Sequence, residues 1–60
     1  KGQAMPVLIE SVSEQNQALL TGRLSNNILV HFKGDPSMIG EIRDVSLDEC
    51  KGFYYMGNLV

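Results

Sequence analysis

The chain has 60 residues, 43% of them hydrophobic and 20% charged, with a formal net charge of −2 and a single cysteine. This length allows one small domain, which buries only about 60% of its unfolded surface and leaves no room for an enclosed catalytic chamber. One thiol excludes an internal disulfide and a multi-thiolate metal site, and it predicts a reducing, cytoplasmic setting.

Two β-strands are predicted in the first third of the chain. Residues 5–12 alternate in the manner of a half-buried strand, and Pro6 places the start of that strand after itself or at a sheet edge. A polar turn over residues 13–17 leads into a second strand over residues 18–24. Gly22 inside this strand indicates a bend, a bulge or the close approach of another backbone.

The clearest strand is predicted over residues 28–33, where two sets of side chains alternate strictly. We place Ile28, Val30 and Phe32 in the core and the intervening side chains outward. A Gly-Asp-Pro-Ser turn follows at residues 34–37, and one short helical turn is expected over residues 37–39.

A fourth strand over residues 41–47 has an irregular phase, because Ile42 and Val45 fall on opposite sides of it. Either a β-bulge near Arg43 restores the alternation, or the Arg43 side chain points inward near a barrel mouth and reaches solvent. A polar loop then precedes the last strand, over residues 53–60. Five short strands without a persuasive helix predict an all-β fold, either a small barrel or a sandwich.

Chemistry by this chain alone is not expected, so we predict that it is not an enzyme. His31 and Cys50 are the candidate base and thiol, but a catalytic pair needs a water-excluding pocket that 60 residues cannot enclose. One histidine, one cysteine and scattered acids lack the spacing of metal ligands. The sequence also has no glycine-rich phosphate loop and no apolar run long enough to span a bilayer, so no membrane partner is expected.

Polar side chains around the second and third strands form the candidate binding site. Arg23, His31 and Lys33 occupy outward positions on the two strands, and Asn26 and Asn27 lie in the turn between them. These side chains offer hydrogen-bond donors and charge to phosphate groups, as small five-stranded barrels do when they bind single-stranded nucleic acid. The alternative is an ordinary solvated face whose asparagines serve the turn, and the negative net charge gives nucleic-acid binding no support.

The order of these motifs resembles the TRAM domain, and more narrowly the carboxy-terminal TRAM domain of tRNA methylthiotransferases. Those are radical S-adenosylmethionine enzymes that thiomethylate an adenosine beside the anticodon. The resemblance covers nearly the whole chain. The motifs that carry it are residues 7–13 (VLIESVS), 20–23 (LTGR), 26–27 (NN), 30–34 (VHFKG), 39–40 (IG) and 44–47 (DVSL).

This resemblance implies an all-β, five-stranded OB-like barrel that binds tRNA and positions it for catalytic domains in the same polypeptide. It also implies a parent enzyme that uses iron–sulfur clusters and S-adenosylmethionine, with no cofactor in this chain. Residues 1–60 are then a single RNA-binding domain and a fragment of a longer enzyme. We expect the chain itself to be a monomer.

The expected RNA contacts come from the outward strand positions, the turn asparagines and two residues near the last strand. The RNA-binding residues predicted on this basis are Arg23, Asn26, Asn27, His31, Lys33, Lys51 and Tyr55. The rival interpretation is a packing module that docks onto the parent enzyme's own domains without touching RNA.

Overall fold

The structure is a computed structural model that describes residues 3–14 and 16–60. Gln15, which belongs to the predicted first turn, lies outside the described residues. A single 3-10 turn, Pro36–Met38, is one residue earlier than the expected helical turn. The strands are β1 (Gln3–Val12), β2 (Leu19–Arg23), β3 (Leu29–Lys33), β4 (Ile42–Cys50) and β5 (Tyr54–Leu59). All five predicted strands are therefore present.

These strands close into one barrel in the spatial order β1-β2-β3-β5-β4, with β4 returning to β1. Each neighbouring pair is antiparallel except β3 and β5, which run parallel. Closure removes the unpaired sheet edges that would otherwise attract other strands. The all-β prediction and the OB-like barrel are confirmed, and the sandwich alternative is wrong.

The barrel interior is filled by aliphatic side chains and one phenylalanine. Val30 and Phe32 are fully buried, as their alternation predicts, and Ile28 packs against this core from just before β3. A core of this size supplies only about 3–5 kcal/mol of net stability. The buried hydrophobic side chains are Val7, Ile9, Leu20, Leu24, Val30, Phe32 and Val45.

Two bulges interrupt the ladders, and neither lies at Arg43. Glu10 is skipped in the pairing of β1 with β2, and Asp48 is skipped in the pairing of β4 with β5. The bulge predicted near Arg43 is wrong, because the β1–β4 ladder runs through it without a shift. Its partner there is the buried Val7, so Arg43 takes an inward position at the end of the barrel while its side chain stays 51% exposed. The second alternative for Arg43 therefore describes the structure.

Two glycines allow the strands to approach each other closely. A Cβ atom added at Gly22 would collide with the side chain of Val7, which confirms close approach as the reason for a glycine in β2. At Gly57 in β5 the obstacle is the backbone, because an added Cβ would run into the carbonyl oxygen of Ser46. Backbone in a closed ladder cannot move aside without breaking its hydrogen bonds.

We predict that Gly57→Ala lowers the free energy of unfolding by about 2–3 kcal/mol, the upper range for overpacking a core. Gly34→Ala is the matched control, because its added Cβ would meet the flexible end of the Leu20 side chain, at 2.6 Å from Cδ1. Leu20 is buried, but the end of its side chain can shift more readily than a hydrogen-bonded backbone, so the control should lose less stability. Urea denaturation measures both variants, and equal losses would contradict the backbone collision.

Candidate nucleic-acid interface

The candidate site lies on the outside of the barrel, across β2, β3 and β5. Antiparallel pairing sets Thr21 opposite His31, and parallel pairing sets Tyr54 beside Leu29. Side chains paired in this way point to the same side of a sheet. We call this surface the outer face, and it consists of Leu19, Thr21, Arg23, Leu29, His31, Lys33, Tyr54 and Met56.

The predicted cations occupy the two ends of this face. Arg23 is paired with Leu29 next to the β2–β3 turn, whereas Lys33 is paired with Leu19 at the far end of the hairpin. Arg23 and Lys33 are therefore four residue positions apart along the hairpin, a distance of roughly 13 Å. His31 lies between them, so the three side chains form a line rather than a cluster.

His31 is held in a defined orientation at the centre of the face. Its Nδ1 atom is 3.1 Å from the hydroxyl oxygen of Thr21, and its ring packs edge-on against Tyr54 with ring centres 4.9 Å apart. An edge-to-face pair of this kind fixes the ring plane. Within the described part of the chain Nε2 makes no hydrogen bond, so this atom can meet a ligand.

Arg23 is bound by a carboxylate from the bulge in β1. Its Nε and Nη2 groups donate to the two carboxylate oxygens of Glu10 at 3.0 and 3.2 Å. These hydrogen bonds and the attraction of the charges hold the pKa of Arg23 above its ordinary value. The pair is solvent-exposed, with 40% of the Arg23 side chain and 34% of the Glu10 side chain accessible, so it adds little stability. Its main effect is to orient the guanidinium and to offset its charge.

Both asparagines support the β2–β3 turn. Asn26 accepts a hydrogen bond from the Ile28 backbone N–H at 3.2 Å, and Asn27 adopts the left-handed conformation with φ of 69°. Asparagine tolerates this conformation better than most residues. Asn26 is nevertheless exposed, and its amide nitrogen makes no hydrogen bond to the described residues. The turn role and a ligand role are therefore compatible.

Lys33 differs from Arg23 because no carboxylate of residues 3–14 and 16–60 lies within ion-pair distance of it. It shares a shallow depression with Asp48 and Asn58. Asp48, the bulge residue of β4, accepts hydrogen bonds from Ser46 Oγ at 2.7 Å and from Asn58 Nδ2 at 2.6 Å. The bond from Ser46 and then that from Asn58 lower the pKa of Asp48. A fixed negative charge therefore borders the free lysine.

Two predicted contact residues are not among the side chains of the outer face, although the Lys51 N–H donates to the carbonyl oxygen of its member Tyr54 at 2.8 Å. Lys51 belongs to the β4–β5 turn and forms an ion pair with Glu49 at 3.3 Å. Tyr55 is paired with Val30 and packs against the core, so it points inward. Its neighbour Tyr54 takes the place on the outer face that the prediction gave to Tyr55. The sequence carries no local signal for this choice, because adjacent tyrosines alternate and the parallel β3–β5 register decides between them.

The residues that the structure describes also bear on membrane spanning, metal binding and thiol chemistry. No helix there is long and apolar enough to cross a membrane. No three His, Cys, Asp or Glu side chains of these residues come together in a way that could hold a metal ion. Cys50 is a free, exposed thiol at the end of β4.

A closed five-stranded barrel with the strand order β1-β2-β3-β5-β4 is an OB-like fold, a class that often binds oligonucleotides. Residues 1–60 match the TRAM domain family, so the whole chain belongs to that family. The resemblance of its motifs to this domain is thereby confirmed.

Curated relatives share the name tRNA-2-methylthio-N(6)-dimethylallyladenosine synthase. A protein of Lachnoclostridium phytofermentans is 58% identical over all 60 residues, which are 13% of its own length. Proteins of Staphylococcus saprophyticus and Fusobacterium nucleatum are 43% and 37% identical over the whole chain, covering 12% and 14% of their lengths. The chain therefore spans about an eighth of the relatives that it matches.

We predict that Asn58→Ala raises the pKa of Asp48 toward its ordinary value, because one hydrogen bond to the carboxylate is lost. A lowered folded-state pKa stabilises the fold above the pKa of the unfolded chain, and this contribution disappears as pH falls through the lowered value. The variant should therefore lose less stability on acidification than the wild type. NMR titration of the Asp48 carboxyl group measures the change, with Ser25→Ala as the control that should leave it unaltered. An unchanged pKa in Asn58→Ala would contradict the hydrogen-bond assignment.

Proposed function

We propose that this chain is the tRNA-binding domain of a tRNA methylthiotransferase, and that its outer face contacts the tRNA. TRAM family membership and the names of the relatives support the class of enzyme and of RNA. The observation that carries the contact surface is the line of Arg23, His31 and Lys33 on one side of the β2–β3 hairpin. The domain's role is to hold the tRNA in position for catalytic domains in the same polypeptide.

The cofactors of such an enzyme would be bound outside these residues. Iron–sulfur clusters are held by several cysteine thiolates, and this chain has one cysteine. Its residues therefore do not fit a cluster, and no catalytic step is assigned to them. S-adenosylmethionine and the clusters belong to the remaining seven-eighths or so of a protein with the length of the relatives.

Binding through the outer face should be weak for the isolated chain. Lys33 can contact a phosphate directly, whereas Arg23 must exchange the Glu10 carboxylate for phosphate or use its remaining N–H groups. Exchanging the Glu10 carboxylate for an RNA phosphate at Arg23 changes the free energy of binding little. With about two phosphate contacts, a plot of the logarithm of affinity against the logarithm of salt concentration should have a slope of roughly −1.4 to −1.8.

Glu10→Gln should raise the affinity for tRNA by about 2- to 5-fold, since it releases the Arg23 guanidinium for phosphate. Lys33→Ala should lower the affinity by a similar factor. Glu41→Gln is the matched control, because it also removes one negative charge and one ion pair with an arginine. In that pair the Arg43 Nε atom lies 2.8 Å from Glu41 Oε1. Fluorescence anisotropy with labelled tRNA at fixed salt measures all three variants. Equal gains in Glu10→Gln and Glu41→Gln would attribute the effect to net charge and contradict the proposed contact by Arg23.

A second candidate function, docking onto the rest of the same polypeptide, is favoured by an apolar surface that borders the Arg23 end of the outer face, where Leu8 is paired with Arg23. Leu8 and Ile42 are paired across β1 and β4, where 42% and 68% of their surfaces are exposed. They line a shallow groove with Pro6 and Leu24, and the same groove is lined by Ser25, Arg23 and Asn27. The exposed Asp44 lies on the outward side of β4, paired with Pro6. This surface suits an apolar partner surface with charges of both signs at its rim, and the relatives contain about eight times the length of this chain.

RNA binding through the outer face and docking through the apolar groove are separated by the substitutions Ile42→Ser and Lys33→Ala. Ile42→Ser should weaken binding of this chain to the remainder of the enzyme supplied separately, while tRNA affinity stays constant, because the exposed side chain contributes little to the core. Lys33→Ala should lower tRNA affinity and leave that association unchanged. Isothermal titration calorimetry measures the association of the two parts. If Lys33→Ala left tRNA affinity unaltered and weakened the association, the docking interpretation would replace the RNA-binding one.

A further inference from the structure

Phe53 is an aromatic side chain that the barrel does not use. It lies just before β5 with 95% of its surface exposed, more than any other large hydrophobic residue of the described chain. An aromatic ring in full contact with water gains nothing from the hydrophobic effect in folding. The barrel core is complete without it, since the buried set comes from the strands and from Leu24.

The turn that carries Phe53 is well defined. Gly52 has φ of +94°, a conformation that favours glycine, and the Lys51 N–H donates to the Tyr54 carbonyl oxygen at 2.8 Å. This bond closes the hairpin between β4 and β5 around Gly52 and Phe53. Because both flanking strands belong to the barrel, the backbone of Phe53 is held at a fixed place on the molecule.

That place is next to the β2–β3 turn. β3 and β5 are parallel neighbours, and Leu29 is paired with Tyr54 at the start of both strands. The residues that precede them, Ile28 and Phe53, therefore leave the sheet at the same end of the barrel. The turn asparagines and Phe53 consequently flank the end of the outer face where Arg23 lies.

We propose that Phe53 stacks on an unpaired RNA base at this end of the outer face. The inference rests on the proposed function and adds to it a preference for single-stranded RNA. Proteins that bind single strands place aromatic rings beside cationic grooves, and stacking on a ring suits any base. Arg23 and the Asn26 amide would meet the adjoining backbone.

The surroundings of Phe53 favour a base over a protein pocket. Its neighbours in the turn are Lys51 and Gly52, and the other exposed large hydrophobic residues belong to β1, β4, the segment before β4 and the last residue. Aromatic anchors in protein interfaces lie instead within a contiguous patch that excludes water. A single ring among polar groups fits a flat partner that carries phosphates.

Phe53→Ala should weaken binding of a single-stranded 12-nucleotide RNA by about 5-fold or more, the scale of one lost base stack. Phe53→Trp should restore the affinity, whereas Phe53→Leu, which keeps the apolar bulk without the aromatic face, should behave as the alanine variant. Binding of a 12-base-pair RNA duplex should not change, because its bases are already stacked. The oligonucleotide carries 2-aminopurine, whose fluorescence also reports stacking. Unaltered thermal unfolding shows that each variant is folded.

Other outcomes separate this inference from the function on which it rests. If the wild type binds the single strand and all three variants bind it equally, the stacking role is wrong while RNA binding stands. If Phe53→Leu retains affinity, the ring makes an apolar contact and not a stack, which also overturns the inference. If Phe53→Ala changes only association with the rest of the enzyme, Phe53 is a protein contact. If the wild type binds neither RNA nor tRNA, the proposed function itself fails.

Discussion

Barrel closure depends on β1, which belongs to two ladders at once. Its first part, Gln3–Leu8, pairs with β4, and its second part, Leu8–Val12, pairs with β2. A strand can serve two neighbours in this way only if it bends sharply. The bulge at Glu10 lies just beyond the change of partner, and Gly22 in β2 gives the bent strand room beside Val7. The closed core of so short a chain rests on this bend.

The same bend determines the electrostatics of the outer face. A bulge re-aims the side chain of its extra residue, and here Glu10 reaches Arg23 from the neighbouring strand. The second bulge has a parallel effect, because Asp48 lies in the depression beside Lys33. Glu10 and Asp48 therefore offset part of the positive charge of Arg23 and Lys33, respectively, in the proposed interface. A negatively charged domain can therefore present a line of donors without binding RNA strongly by itself, and the rest of the enzyme would supply the missing affinity.

Local patterns were sufficient to predict much of this fold. The alternation in β3 assigned Val30 and Phe32 to the core, and the Asn-Asn turn identified the hairpin that carries Arg23 and His31. These features depend on residues close together in sequence. The strand starts and ends were less accurate: β1 begins at Gln3, ahead of Pro6, and β4 continues to Cys50. Pairing with a distant strand extends both elements beyond what their own side chains indicate.

Features that depend on distant pairing could not be predicted. The parallel β3–β5 register places Tyr54 outward and Tyr55 inward, although nothing in that dipeptide distinguishes the two. The bulges at Glu10 and Asp48 likewise follow from closure, and each ladder shift is invisible in the strand that contains it. The exposure of Phe53 is also a property of the turn geometry, which its own sequence neighbourhood does not indicate. Sequence patterns thus identify the β2–β3 hairpin, whereas the strand pairing of the closed barrel determines which other side chains lie beside it.

NMR titration of the isotope-labelled chain with tRNA tests most directly whether tRNA binds to the outer face of β2, β3 and β5. At low salt, we predict chemical-shift changes at Arg23, Asn26, His31 and Lys33, and smaller changes at the same residues when the salt is raised to a moderate concentration. Changes confined to β1 and β4 around Leu8 and Ile42, or no changes at either salt concentration, would contradict the account.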